Sequence, residues 1–187
     1  MPTCWTVACS RAPHRGLRQS RARDHGSRRR VPTGSARARK DAQAIFNITK
    51  NAVRTESLKP RSRHEIADLI HTYFVVEIDG SIIACAALIP YEGTTVMEIA
   101  SVYVQPVYAD RGIGRKLVSF CLREAQRKGA TKVLALSTQT AKFFIQVCGF
   151  QQGALDDLPE VRRSDYEKNG RQSRILVHTL DGSGELG

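Results

Sequence analysis

Between residues 96 and 129 the chain changes its hydrophobic period, and that change restricts what it can fold into. Residues 96–104 are mostly β-branched and apolar and end just before Pro106, the pattern of a strand. Ile113, Leu117, Phe120, Cys121 and Ala125 then recur at helical spacing, with Arg115, Lys116, Arg123, Arg127 and Lys128 on the other side and Gly129 at the end. The junction carries Gly112-Ile113-Gly114. A strand that enters a glycine turn and opens an amphipathic helix leaves several backbone N–H groups unpaired at the positive end of the helix dipole. Such an end receives an anion, and a pyrophosphate suits it. Two other phosphate loops fail on spacing. A Gly-x-Gly-x-x-Gly loop needs glycine where Leu117 stands, and a P-loop needs Gly-Lys-Ser/Thr where Gly114 is followed by Arg115 and Lys116.

The flanking segments predict the rest of the fold. Asp41 can N-cap a helix with Ala42, Ile45, Phe46, Thr49 and Val53 on its apolar face, and Ser62 to Glu65 form a capping box ahead of Ile66, Leu69 and Ile70. Residues 73–78 and 81–89 read as strands joined by Asp79-Gly80, a strong hairpin signal, and Glu92-Gly93-Thr94 is a second turn. After the central helix come a short buried strand at 132–136, a helix at 140–147 closed by Cys148-Gly149, and a last strand at 174–179; 151–172 reads as a polar loop around Pro159. Paired strands followed by strands separated by helices predict an α/β (α+β) fold, a mixed, mostly antiparallel sheet with helices on both faces.

Charge divides the chain. Residues 1–40 hold 11 basic residues against Asp24 alone, whereas 41–187 hold 18 basic and 17 acidic residues, so the +11 net charge is a property of the N-terminal segment. That segment has no helical or strand period and is expected to be disordered. Domain boundaries are placed accordingly: a disordered Arg-rich segment at 1–38, one folded domain at 39–182 and a short tail at 183–187. The basic segment reads first as an upstream mis-assigned start, and after that as a transit peptide or a nucleic-acid-binding arm. Five scattered cysteines, with no Cys-x-x-Cys pair and no metal-ligand spacing, fit a reducing compartment and no bound metal. The longest apolar run, 82–90, falls well short of the ~20 residues of a membrane span. A soluble, cytoplasmic protein without a membrane partner is expected, with organelle import as the outcome if the segment is a transit peptide.

The hairpin, the strand ending Val102-x-Val104-x-Pro106, the Gly112-x-Gly114 loop and the later helix ending Gly149-Phe150 resemble the Gcn5-related N-acetyltransferases (GNAT) over about residues 41–180. The resemblance implies acetyl-CoA as co-substrate. Backbone groups at Val102 and Val104 would hold the pantetheine arm like an added strand, and Arg111, Gly112, Gly114, Arg115 and Lys116 would surround the pyrophosphate. The chain departs from the family's loop at its first position, Ala109, where Gln or Arg is usual. Further runs, 58–63, 97–100, 136–140, 158–166 and 169–177, are similar to the acetyltransferase domain of bacterial N-acetylglutamate synthases. That similarity implies acetyl transfer to the α-amine of L-glutamate, the first step of arginine biosynthesis. It also implies Glu98 as general base, Ser137 as general acid toward the leaving thiolate, and Arg61, Arg171 and Ser173 as ligands of glutamate.

Residue chemistry agrees with those roles. An α-amine is largely protonated at neutral pH and must lose a proton before it attacks a thioester. A carboxylate of ordinary pKa, about 4.3, is a weak base unless burial raises it, and Glu98 stands in an otherwise apolar strand, so burial is expected to activate it. Glutamate carries two carboxylates, for which arginine forks are fitting partners; Arg61, Arg163 and Arg171 lie in expected loops, with Arg171 favoured over Arg163 by the Gly170-Arg171-Gln172-Ser173 run. Many GNAT members place a tyrosine in the helix before Gly-Phe, where this chain has Phe143 and Phe144. No cysteine falls in the expected site, so direct attack in a ternary complex is expected. The kinase-like N-terminal domain of the long relatives has no room in this chain, which puts arginine inhibition and its oligomer in doubt; a homo-oligomer stays open. A different acceptor amine, or nucleic-acid binding through the basic segment, are the competing readings.

Overall fold

Strand and helix alternate as the apolar spacing requires. The structure, a computed structural model, describes residues 6–9, 35–55, 58–168, 170 and 172–180. Strand β1 is Thr6–Cys9 and helix α1 is Ser35–Arg54. The capping box is formed: Ser62 Oγ accepts the Glu65 N–H at 3.1 Å, and the Glu65 carboxylate accepts the Ser62 N–H at 2.7 Å, which starts α2, Arg63–Asp68. The hairpin pairs β2 (Tyr73–Ile78) with β3 (Ser81–Pro90), and Asp79 and Gly80 both take positive φ, 49° and 76°, as a tight turn between right-twisted strands demands. Then follow β4 (Val96–Val104), α3 (Ile113–Arg127), β5 (Lys132–Ser137), α4 (Ala141–Cys148), β6 (Gln151–Gln152), α5 (Glu160–Lys168) and β7 (Arg174–Thr179).

The strands form one sheet in the order β1-β2-β3-β4-β5-β7-β6, with β4 and β5 parallel and the other neighbours antiparallel. Successive residues of a strand point to opposite faces, and β2 distributes its side chains between two cores accordingly. Tyr73 and Val75 join Cys85 and Ala87 beneath Ala42, Ile45 and Ile66 of α1 and α2. Phe74 and Val76 join Ala84, Leu88 and Ile99 beneath Leu117, Cys121 and Phe144 of α3 and α4. Both faces are covered, as expected. No helix among the described residues is long and apolar enough to cross a membrane.

Three boundaries differ from the expected ones. Helix α1 begins at Ser35, so Asp41 is a buried residue inside it rather than its cap; residues 35–40 are Ala- and Arg-rich, good helix formers without an apolar stripe to mark them. Within the segment expected to lack order, Thr6–Cys9 pairs antiparallel with β2 in the register Thr6↔Glu77 to Cys9↔Phe74. A sheet edge offers unpaired backbone groups, and a short Thr-Val run answers them. The rest of 1–34 and the tail at 183–187 lie outside the described residues. Finally, the expected loop at 151–172 contains α5, whose first turn starts from Pro159: its carbonyl accepts the N–H groups of Arg162 and Arg163 at 2.8 and 2.9 Å. Only Val161 and Tyr166 are apolar in α5, so no stripe announces it.

Gly153, between β6 and α5, packs against β7 with no room for a side chain: a Cβ there would lie 2.4 Å from Val177 Cγ2 and 3.2 Å from Ile175 Cγ2. Gly153→Ala is expected to cost about 1–3 kcal/mol, read as a lowered midpoint in urea or heat; an unchanged midpoint contradicts the close packing.

Candidate active site

The site is made where β4 and β5 part. They pair only at Val96↔Lys132, Met97↔Val133 and Glu98↔Leu134. Past Glu98, β5 continues along β7 to Ser137 while β4 continues along β3 to Val104. The edge of β4 from 99 to 104 that turns away from β3 therefore faces no strand among the described residues. A bulge bends β4 at this point: Ala100 stands opposite Ala87 and Tyr103 opposite Cys85, three steps against two. Ser101 absorbs the extra residue at φ 53°. The Tyr73 hydroxyl donates to Ser101 Oγ at 3.3 Å, and the Cys85 thiol donates to the Ser101 carbonyl at 3.5 Å.

At one end of the gap stands the N-terminus of α3. Gly112 caps it at φ 71° and offers no side chain to its amides, so the N–H groups of Ile113, Gly114 and Arg115 have no acceptor within the helix. Gly114 brings this end close to both walls: a Cβ there would be 3.6 Å from Val104 Cγ2 and 3.2 Å from Phe143 Cζ. Arg111, Arg115 and Lys116 are exposed around the loop, with the Arg111 guanidinium 5.5 Å above the Tyr108 ring. Val102 and Val104, half-buried, pack on the α3 face of the sheet. The residues expected to hold a nucleotide pyrophosphate and its arm thus meet where the end of β4 approaches the start of α3.

At the other end is a cavity of about 300 Å³, whose walls include Arg61, Glu98, Ser101, Arg162, Asp165 and Ser173. Three expected site residues, Arg61, Glu98 and Ser173, come together here. Arg171 lies outside the described residues. Ser137 is buried, but its hydroxyl is turned to the start of α4, where it accepts the Thr140 N–H at 2.9 Å and lies 2.8 Å from Thr140 Oγ1; its neighbours Leu136 and Thr138 are the ones that line the cavity. Arg163 pairs with Asp156 at 3.3 Å.

Glu98 is buried, as expected, 6% exposed, and it is paired. Arg162 Nε donates to its Oε2 at 2.7 Å and Nη2 to its Oε1 at 3.4 Å, and the Tyr91 hydroxyl also donates to Oε2. The carboxylate is therefore buried as one half of an ion pair and not alone among apolar side chains. Burial works against the Arg162 cation, but the Glu98 hydrogen bond and charge outweigh it, so the guanidinium is held above its ordinary pKa. Burial first, and the Glu98 charge next, push the Tyr91 phenol up, which keeps it a donor. Neither Arg162 nor Tyr91 was marked in the sequence: one lies on an unannounced helix beside the equally plausible Arg163, the other in a turn. Burial also pushes the thiols of Cys85 and Cys121 up to about 12 and that of Cys148 to about 11, so none is a nucleophile at neutral pH.

Comparison with known proteins agrees with this arrangement. The sequence model of the Acetyltransferase (GNAT) family matches residues 39–150. The chain is 39% identical over 120 residues to an amino-acid acetyltransferase of Neisseria meningitidis, covering 64% of this chain and 27% of that one. It is 34% identical over 140 residues to an amino-acid acetyltransferase of Pasteurella multocida, covering 75% and 31% respectively. Among solved structures, N-acetylglutamate synthase from Neisseria gonorrhoeae, complexed with coenzyme A and N-acetyl-glutamate, superposes with a TM-score of 0.73 at 35% identity, covering 75% of this chain and 33% of that one. The chain thus spans about a third or less of the length of these relatives.

Proposed function

Because the chain belongs to the GNAT acetyltransferase family, we propose that it moves an acetyl group from acetyl-CoA to the α-amino group of L-glutamate, making N-acetylglutamate. The observation that carries this reading is the parting of β4 and β5 at Glu98, with an uncapped helix end on one side and an arginine-bearing cavity on the other. The unpaired edge of β4 suits the pantetheine arm, which adds to a sheet through its amides beside Val102 and Val104. The α3 N-terminus suits the pyrophosphate, with Arg111, Arg115 and Lys116 offsetting its charge. This places the thioester beside the cavity. There the described lining residues carry three cations, Lys59, Arg61 and Arg162, against two anions, Glu98 and Asp165. A positive excess, to which Arg171 would add, suits glutamate, whose carboxylates outnumber its ammonium. Arg61, Ser173 and Arg171 are the proposed carboxylate ligands.

The reaction releases two protons from the ammonium. Glu98 takes the first, freeing the lone pair that attacks the acetyl carbonyl; the C–N bond forms, the C–S bond breaks, and the amide nitrogen sheds its second proton as the thiolate acquires one. Ser137 is the proposed donor to sulfur, its hydroxyl backed by that of Thr140. Attack is direct, since Cys85 and Cys121 are buried, Cys148 is half-buried, and burial holds these three thiols protonated.

The test is release of free CoA by the full chain supplied with glutamate, aspartate, spermidine or a peptide. Glutamate is expected to give the highest kcat/KM; a preference for spermidine or peptide, or none at all, overturns the assignment. Incubation with acetyl-CoA alone is expected to leave the protein mass unchanged, and an acetylated cysteine would replace direct attack by a covalent route.

A further inference from the structure

The two oxygens of Glu98 are treated unequally. Oε2 receives both the Tyr91 hydroxyl and Arg162 Nε, the latter at 2.7 Å, whereas Oε1 is met by Arg162 Nη2 at 3.4 Å, too long for a strong bond. Three separate elements supply this arrangement: Tyr91 from the turn between β3 and β4, Glu98 from β4, and Arg162 from α5. Both partners border the same cavity as Glu98, and the ion pair is well shielded, with side-chain exposures of 13% for Arg162 and 8% for Glu98. The charged and titratable groups that share the cavity with the carboxylate are Lys59 and Arg61 from the segment before α2, Tyr91 from the turn, and Arg162 and Asp165 from α5. Of these, Tyr91 and Arg162 are the two bonded to it.

We propose that Arg162 and Tyr91 are positioning residues for acetyl transfer, clamping Oε2 of Glu98 so that Oε1 is the oxygen that meets the substrate ammonium and takes its proton. This rests on Glu98 being the proton acceptor of the proposed reaction. A carboxylate free to rotate presents either oxygen in many orientations; one held at a single oxygen by a charge-assisted bond and a phenol presents the other in one orientation. Asp165, three residues beyond Arg162 on α5, adds a charge that favours the guanidinium cation. Tyr166 ties α5 to the strand side of the cavity by donating to the Ser173 carbonyl, which fixes the helix that carries Arg162.

The test compares full-length Arg162→Gln, Arg162→Lys and Tyr91→Phe with the wild type in kcat over about pH 5–10, together with glutamate KM, acetyl-CoA affinity and melting temperature. Removing a positive charge or a donor beside a carboxylate makes its proton harder to remove. The acid limb of the kcat profile is therefore expected to move to higher pH by about one unit or more in Arg162→Gln, with kcat at neutral pH down roughly 10–100-fold. Arg162→Lys is expected to return the limb most of the way, and Tyr91→Phe to move it in the same direction by less, with acetyl-CoA affinity unchanged throughout. A limb that stays in place in both Arg162→Gln and Tyr91→Phe, while melting temperature or kcat falls, makes the pair merely structural and overturns the proposal. So does a raised glutamate KM with kcat and limb unchanged, which makes Arg162 a substrate ligand. If Arg162→Gln does not fold, Tyr91→Phe, which removes one oxygen atom, decides by the same limb. If the wild type prefers another amine, the choice of glutamate fails, and the same comparison run with that amine still decides the role of Arg162 and Tyr91.

Discussion

Glu98→Gln is expected to lower kcat by about 10²–10⁴-fold, the usual worth of a general base, with acetyl-CoA affinity unchanged. The amide keeps the shape of the carboxylate and still accepts the Tyr91 hydroxyl, so the cavity wall keeps its form. What it loses is the capacity to take the ammonium proton. It also leaves the Arg162 cation without its buried partner, and breaking such a pair from one side costs about 3–5 kcal/mol. Stability and rate must therefore be measured together: acetyl-CoA titration reports the folded fraction, and kcat is referred to it. A corrected kcat within about tenfold of wild type removes Glu98 from proton transfer and leaves it a structural carboxylate.

Arg61→Ala is expected to act on the other half of the reaction. Arg61 is half-buried in the cavity wall, where the proposed reaction has it bind a carboxylate of the acceptor. A hydrogen bond to a charged group contributes about 1.5–3 kcal/mol, so KM for glutamate is expected to rise roughly 10–100-fold while KM for acetyl-CoA stays as it was. Arg61→Lys is expected to recover only part of the loss, because an ammonium keeps the charge but not the fork that meets both oxygens of a carboxylate. Equal KM values for wild type and Arg61→Ala remove Arg61 from the acceptor site.

Much of this was readable before folding. The residues that end segments act locally: Asp79-Gly80 closes the hairpin, Ser62 and Glu65 start α2, Gly112 opens α3 and Gly149 closes α4, each through bonds or backbone angles spanning a few residues. Glu98 was legible because it is the one charged residue in an apolar strand. Arg61 and Ser173 were legible through resemblance, and the cavity brings them beside it. The role of Ser137 was less so, since a hydroxyl at a strand end serves a turn as readily as a reaction, and here it bonds to the hydroxyl and N–H of Thr140.

Arg162 marks the limit. Arg162 and Arg163 are neighbours of the same type, and successive residues of a helix point about 100° apart; without the phase of α5 nothing distinguishes the one that reaches Glu98 from the one that reaches Asp156. Apart from β1, α5 and the start of α1, the sequence by itself determined the elements and the uncapped helix beside a strand edge, because period, caps and turns are settled over one or two turns of chain. The parting of β4 from β5 and the clamp on Glu98 were decided by tertiary structure alone. Each depends on contacts between distant segments, 64 residues apart for Glu98 and Arg162, and no local pattern encodes which oxygen of a carboxylate is left free.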